Sequence, residues 1–398
     1  MAKRTGGFIG QDGINAPDPA TGVTGTAGDT QVDVSFTSPS DVGGAAITEY
    51  RVTDSTGAHT ASGSASPITV TGLTNGTSYT FNVWAINPFG WSVASDASAG
   101  VAPELLQRAV VQLGVSGNQS SNRIDFFDIT TTGNASDFGD LTIARQFAAA
   151  MSSETRGIFY QGNSGTGFQR VADYITIAST GNATDYGDTS HPTHYELSAV
   201  SNATRGVAIG GYDGGDYTNA MTYSTIATLG SFADFGDISN NSFGVAKHAS
   251  SGNSTRGIIW GGDNNSNNIE YITISSTGNT VNFGDTLTSE IWYPASAASS
   301  SRALLAGKDR YGTKSNVIEY VSISSTGNSS DFGDLTVAKG AMGATSGSTR
   351  AVFTGGSNGR YDIDYVTISS TGNAADFGEL TFDSQRGSAC SSAHGGLS

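Results

Sequence analysis

One four-residue signature recurs six times along this chain, and its spacing restricts the fold more than any other feature. The signature is an acid or its amide, an aromatic residue, glycine and a second acid. It begins at Asp137, Asp185, Asp234, Asn282, Asp331 and Asp376, in steps of 48, 49, 48, 49 and 45 residues. A period of that length means an array of equivalent supersecondary units, since one such unit cannot bury its apolar face alone. A second marker, an arginine opening an apolar run, falls at Arg108, Arg156, Arg205, Arg256, Arg302 and Arg350, so two separate signals count six copies.

Each copy divides into four strand-sized pieces. In one of them residues 147–152 are a small-residue run, 156–161 an apolar run, 171–178 an alternating run, and 183–188 carry the aromatic tetrapeptide. Four strands per unit predict the blade of a β-propeller. The first piece is dominated by small residues in copy after copy ("FAAAMSS", "ELSAVS", "YPASAASS", "GAMGATS", "GSACSSA"). Strands converging on a propeller axis leave room only for Ala, Gly and Ser. Copy one begins at residue 105 with the arginine strand and has no small-residue piece before it, whereas residues 387–393 are that piece alone. The expectation is an all-β chain in which 105–398 form a six-bladed propeller closed by the C-terminal strand. Otherwise one blade would be incomplete, with an exposed edge.

Ahead of the repeats, a leader over residues 1–15 precedes a separate unit over 16–104. Residues 31–36, 47–52, 68–70 and 79–85 alternate apolar and polar positions and read as strands. About seven short strands in so short a span predict a sandwich. The segment "ITVTGLTNGTSYTFNVWAINPFGWS" resembles the second half of a fibronectin type III domain, with Leu73 and Tyr79 at the leucine and tyrosine-corner positions. The resemblance spans residues 16–101 and implies a tyrosine hydroxyl that caps nearby backbone while its ring packs in the core.

The six copies in turn resemble kelch repeats. Gly210-Gly211, Gly261-Gly262 and Gly355-Gly356 match the double glycine that ends the second strand, and "IEYITI" and "IEYVSI" match the tyrosine strand. The Thr-Gly-Asn elements at Gly133-Asn134, Gly181-Asn182, Gly278-Asn279, Gly327-Asn328 and Gly372-Asn373 are expected to turn the third strand into the fourth, glycine supplying positive φ. Equal numbers of arginines and acids suggest one ion pair per blade interface or blade edge, the alternative being independent solvated charges. Such pairs would join Arg108, Arg156, Arg205, Arg256, Arg302 and Arg350 to Asp140, Asp188, Asp237, Asp285, Asp334 and Glu379 through the guanidinium fork.

The net charge of −16 and the sequence pI near 4.5 repel phosphate backbones, so nucleic acid is not expected as a partner. The single cysteine, Cys390, allows no intrachain disulfide, and residues 1–10 carry two basic residues without the apolar stretch of a signal peptide or membrane span. No metal or cofactor is expected. His191 and His194 stand without a carboxylate set, and Asp213 and Asp216 are two carboxylates where calcium loops supply more oxygens. The sequons at Asn182 and Asn202 are chance products of an Asn-, Ser- and Thr-rich chain. The Asp-Phe-Gly tripeptide lacks the Gly-rich and catalytic loops of kinases. The copper site of galactose oxidase and the Asp-boxes of sialidases are missing too, so no enzymatic activity is expected.

Tandem units such as "IEYITISSTGNTVNFGDT" joined to a fibronectin-like domain resemble virion structural proteins of marine cyanobacterial phages. That resemblance implies a tail or fibre appendage touching the host surface, or a capsid decoration. It implies assembly in the host cytoplasm, several copies per particle, other virion proteins as partners and no membrane insertion. The second reading is a cell-surface or secreted carbohydrate-binding propeller, with Phe168, Tyr212, Tyr217 and Tyr311 in long loops as the contacts for a host-surface glycan or receptor.

Overall fold

The computed structural model describes residues 15–103, 107–116, 119–165, 167–188, 194–230, 232–239, 246–262, 267–289 and 291–397. The chain divides into two compact units, Met1–Leu106 and Gln107–Ser398. Strands dominate both. Among the described residues the helical structure is one 3-10 turn, Gly395–Leu397, and no helix is long and apolar enough to cross a membrane.

In the first unit, Thr21–Gly28, Gln31–Thr37 and Ile68–Thr71 form one sheet, and Thr60–Gly63, Glu49–Asp54, Phe81–Asn87 and Gly90–Trp91 form another. The alternation seen in the sequence sets the inner faces: Val32, Val34 and Phe36 from one sheet meet Tyr50, Val52, Phe81, Val83 and Ala85 from the other in one core. Each of these larger side chains contributes roughly 1.5–3 kcal/mol by leaving water. Tyr79 is buried among them, and its hydroxyl accepts the Thr74 N–H at 3.1 Å, which is the backbone-capping role its sequence context implies.

The second unit consists of six antiparallel sheets. Sheets two to six take their strands in chain order. They are Ala149–Ser152, Arg156–Tyr160, Val171–Thr176 and Thr184–Asp188; Ser198–Ser201, Arg205–Ile209, Ala220–Thr225 and Ala233–Asp237; Ala249–Gly252, Arg256–Trp260, Asn268–Thr273 and Val281–Asp285; Ala295–Ala298, Arg302–Arg310, Thr313–Ser322 and Ser330–Asp334; and Gly343–Ser346, Arg350–Thr354, Arg360–Thr367 and Ala375–Ser384. The first sheet takes its innermost strand from the far end of the chain. Ser388–Ser391 pairs antiparallel with Arg108–Gln112, with Cys390 opposite Val110, and Gln119–Asp128 and Ser136–Arg145 follow outward. The small-residue strands lie side by side: Gly343–Ser346 is next to Ser388–Ser391, which is next to Ala149–Ser152. Among the described residues no sheet closes on itself by hydrogen bonds. Turns, side chains and main-chain bonds at the heads of the inner strands connect one sheet to the next.

Those connections account for the repeated signature. The Thr-Gly-Asn segments do more than turn a hairpin, because each also docks on the tetrapeptide of the preceding sheet. Gly181 N–H donates to Phe138 O at 2.8 Å, Gly278 to Phe235 at 2.7 Å, and Gly327, Gly372 and Gly133 to Phe283, Phe332 and Phe377 at 2.8 Å. The asparagine of each turn accepts the N–H of the tetrapeptide's last acid, as in Asp140 to Asn182 and Glu379 to Asn134, both at 3.1 Å. The Gly133–Phe377 joint links the sixth sheet to the first. At the second-to-third joint the sequence reads Gly230-Ser231 where the others read Gly-Asn, and the tetrapeptide carries Tyr186 in place of Phe. There the Tyr186 hydroxyl donates to Thr225 O at 2.8 Å, so a side chain supplies the link.

Candidate functional site

The six arginines do not pair with the six tetrapeptide acids. Each guanidinium reaches a main-chain carbonyl at the end of the third strand of the next sheet. Arg108, Arg156, Arg205, Arg256, Arg302 and Arg350 donate to Ile177, Ile226, Ile274, Ile323, Ile368 and Ile129 O at 2.9–3.1 Å. Each also lies over an aromatic ring of its own sheet, Phe126, Tyr174, Tyr223, Tyr271, Tyr320 or Tyr365, with Cζ 4.3–4.9 Å from the centroid. Among the described residues no ion pair joins any of them to Asp140, Asp188, Asp237, Asp285, Asp334 or Glu379. The physical reason is placement: a terminal carbonyl that no strand partner satisfies is a fixed acceptor at the sheet boundary. Asp140, Asp237, Asp285, Asp334 and Glu379 give their main-chain N–H to the asparagine of the turn, and all six acids are exposed or half-buried.

The carboxylates that do bridge sheets sit in the middle of the third strand. Asp125, Asp173, Glu319 and Asp364 are buried and accept from a threonine of the preceding sheet: Thr381, Thr142 and Thr288 Oγ1 at 2.6 Å and Thr336 Oγ1 at 2.7 Å. Burial raises the Asp125 carboxyl above the usual range, and its bonds from Thr381 oppose that shift. Two of these sites also hold a buried cation, Arg145 Nη2 at 2.5 Å from Asp173 and Lys339 Nζ at 3.2 Å from Asp364. These acids interrupt otherwise apolar runs, and that interruption is the signal by which the sequence marks them. All these groups belong to the framework.

What distinguishes one face is the residue that precedes each small-residue strand. Phe147, Glu196, Lys247, Tyr293, Ala341 and Arg386 occupy this position in turn, and all six hold φ between 52 and 60°. That conformation costs a non-glycine residue of the order of 1–3 kcal/mol and persists only where its surroundings enforce it. Main-chain bonds between these residues supply the enforcement. Phe147 N–H donates to Arg386 O, Arg386 to Ala341, Ala341 to Tyr293, Tyr293 to Lys247 and Lys247 to Glu196, at 2.7–3.0 Å. All six line one cavity of about 140 Å³ where the inner strands begin. At the strands' other end the Gly395–Leu397 turn is wedged among them: a Cβ on Gly395 would stand 2.7 Å from Gly252 O and 2.6 Å from Ala298 O.

Around this mouth the rings of Phe147, Phe168, Tyr195, Tyr212, Tyr217 and Tyr293 form one connected set. Phe168 stacks on Tyr195 at 5.0 Å, Tyr195 meets Tyr212 at 5.5 Å and Tyr212 meets Tyr217 at 5.0 Å, while Phe147 touches Tyr195 at 5.8 Å and Tyr293 at 5.4 Å. Tyr311, 84% exposed, stands edge-on to the buried Trp292 at 4.7 Å. Lys247 Nζ lies 4.3 Å from the Trp292 ring and 5.8 Å from those of Tyr217 and Tyr293, so it connects the two aromatic groups. Tyr293 OH donates to Glu196 Oε1, and Lys247 Nζ stands 3.9 Å from Glu196 Oε2. Burial, with Glu196 beside it, holds the Tyr195 phenol above its ordinary range. The structure thus brings Phe168, Tyr212, Tyr217 and Tyr311 to one face, and adds Phe147, Tyr195, Trp292 and Tyr293. Those four sit at or next to the head of a small-residue run, where the changing residue itself was the available clue.

The remaining candidates are loop residues. Asp213 Oδ1 accepts from Gly215 and Asp216 N–H at 2.9 and 2.8 Å, and these main-chain bonds lower its carboxyl pKa. His194 is buried beneath the mouth, and His191 lies outside the described residues. Among the described residues no cluster of three or more His, Cys, Asp or Glu is placed to hold a metal ion.

The sandwich and its tyrosine corner are matched over residues 16–101 by the family model described as "Fibronectin type III domain". These residues are a fibronectin type III domain. No curated protein matches the chain. Among solved structures, one titled "Structure of YjhT" is similar with a TM-score of 0.52 at 8% identity, covering 62% of this chain and 88% of that one. A share that large exceeds the fibronectin type III unit, so the likeness, one of fold alone, falls mainly on the six sheets.

Proposed function

We propose that residues 105–398 form a closed six-bladed kelch-like β-propeller and that the chain is a non-enzymatic structural protein of a bacteriophage particle. In this reading it is a tail or fibre appendage whose propeller mouth touches a glycan on the host surface. The observation that carries the recognition role is the contrast between two tiers of the same repeat. Framework positions keep Arg, Gly and an aromatic residue in every copy, whereas the mouth position holds six different residues, Phe, Glu, Lys, Tyr, Ala and Arg. Packing needs sameness at equivalent positions, and variety confined to a rigidly supported face suits a binding surface. Exposed aromatic rings stack on the apolar faces of sugars, and neighbouring polar groups bond their hydroxyls.

Support for the virion setting comes from the resemblance of the tandem units to phage structural proteins. The joints from each sheet to the next, the sixth to the first included, suit a part that must survive outside a cell. A capsid decoration is the neighbouring possibility. The same mouth also favours the second reading, a cell-surface or secreted carbohydrate-binding propeller. Mass spectrometry and electron cryomicroscopy of particles that package the gene test the first: a six-lobed ring at the tail or shell is expected, and particles lacking the chain would leave the second. On a glycan array, the variant carrying both Tyr212→Ala and Tyr311→Ala is expected to lose binding that the parent protein has.

A further inference from the structure

We infer that the mouth is built for a linear, neutral oligosaccharide laid across the propeller axis, with two subsites on either side of Arg386. This rests on the glycan reading above and adds the length, direction and charge of the ligand. Three adjoining cavities open on this face, of about 310, 140 and 560 Å³, and Arg386 lines all three. Each outer cavity alone is already within or near the ~300–1,000 Å³ that holds a small ligand, so one sugar ring would leave most of the trough unfilled.

The two ends differ in chemistry. The 310 Å³ cavity is walled by Trp292, Tyr293 and Tyr311. Among the described residues the buried Trp292 indole N–H has no acceptor, and its ring is covered by Lys247, Arg310 and Tyr311. The ring that this end presents is that of Tyr311, 84% exposed, which fits stacking on a sugar face. The 560 Å³ cavity is walled by Gln119, Gln146, Gln385, Ser120 and Ser164. Carboxamides offer a donor and an acceptor on one rigid plane, matching hydroxyls that must both give and take hydrogen bonds.

Arg386 joins the ends. Its Nη1 donates to Gln146 Oε1 at 3.0 Å and its guanidinium lies 4.8 Å over the Phe147 ring, which fixes it facing the trough. The charges argue for a neutral ligand. Lys247 is answered by Glu196 and Asp309 lines the same cavity as Trp292, so among the described lining residues Arg386, bonded to a neutral carboxamide, is the one cation left over; with −16 on the whole chain, a ligand of many carboxylates or sulfates would meet little positive potential beyond that single charge.

The test is binding of the full chain to an array of neutral linear oligosaccharides, from monosaccharide to hexasaccharide, with carboxylated and sulfated counterparts. Affinity is expected to rise about tenfold or more between mono- and tetrasaccharide and then level off, as the second subsite fills. Tyr311→Ala and Gln119→Ala are each expected to remove the gain with length while shorter chains still bind. Arg386→Ala, which places there the residue the sixth sheet already carries at Ala341, is expected to weaken every length; circular dichroism and melting check that each variant folds. Affinity independent of chain length, or preference for the charged counterparts, overturns this inference while keeping a glycan site. Folded protein that binds no glycan at all overturns the glycan reading and this inference together.

Discussion

Gly378 and Gly187 occupy the same place in the repeat, yet alanine at the two positions is expected to have very different costs. Both glycines have positive φ, +150° and +135°, so an L-residue pays a similar conformational penalty of roughly 1–3 kcal/mol at either. At Gly378 an added Cβ would lie 2.2 Å from Gly133 O, a main-chain atom of the first sheet, whereas at Gly187 the nearest atom, Gly230 O, is 3.6 Å away. To relieve the clash the sixth-to-first joint must open by about 1 Å or more, which breaks Gly133 N–H to Phe377 O and Glu379 N–H to Asn134 Oδ1. Two such bonds are worth about 2 kcal/mol together. With roughly 2–4 °C per kcal/mol for a domain of this class, Gly378→Ala is expected to melt about 4–8 °C below Gly187→Ala. Differential scanning calorimetry of the two single variants reads this directly. Melting points within about 1 °C of each other would refute the idea that the joint between the last and first sheets bears on stability.

Three further outcomes follow from the interior. Arg145 and Asp173 are both wholly buried, so Arg145→Met, which strands the carboxylate, is expected to cost about 3 kcal/mol in denaturant unfolding, and the R145M/D173L double variant less than the sum of its singles; strict additivity would mean the pair is not coupled. Burial pushes His248 and His394 from 6.5 down to about 4. The folded state then binds fewer protons than the unfolded one between those values, so stability is level above about pH 6.5 and falls as pH drops toward 4, by at most about 3 kcal/mol per histidine; melting temperature against pH should lose part of that slope in His394→Gln. The Cys390 thiol is buried and pushed up to about 12, so thiol reagents are expected to label it only as fast as the protein unfolds, and rapid labelling of native protein would contradict the pairing of its strand with Arg108–Gln112.

Period, strand count and the complementary ends of the repeat region were legible in the sequence because they follow from local alternation and turn chemistry. Each strand is specified by its own residues, and residues 387–393 are recognisable as an inner strand by composition alone. The alternating runs of the fibronectin type III domain were readable for the same reason, down to the hydroxyl of Tyr79. The roles of the recurring charges were not. Equal numbers suggested that six arginines met six acids, but which acceptor a guanidinium finds depends on how neighbouring sheets are set against each other, and that offset puts carbonyls of the next sheet within reach.

Sequence by itself settled that the repeat is a four-stranded unit and that small residues line its inner edge, since both are consequences of side-chain size and period along one strand. Only the tertiary structure decided that Gly139, Gly236, Gly284, Gly333 and Gly378 must be glycine because a carbonyl of the next sheet presses on them, with added Cβ distances of 2.2–2.5 Å. It likewise decided that Phe147, Glu196, Lys247, Tyr293, Ala341 and Arg386, about a repeat apart in the chain, face one cavity. Proximity between residues so distant in sequence is set by the packing of sheet on sheet, and no local propensity encodes it.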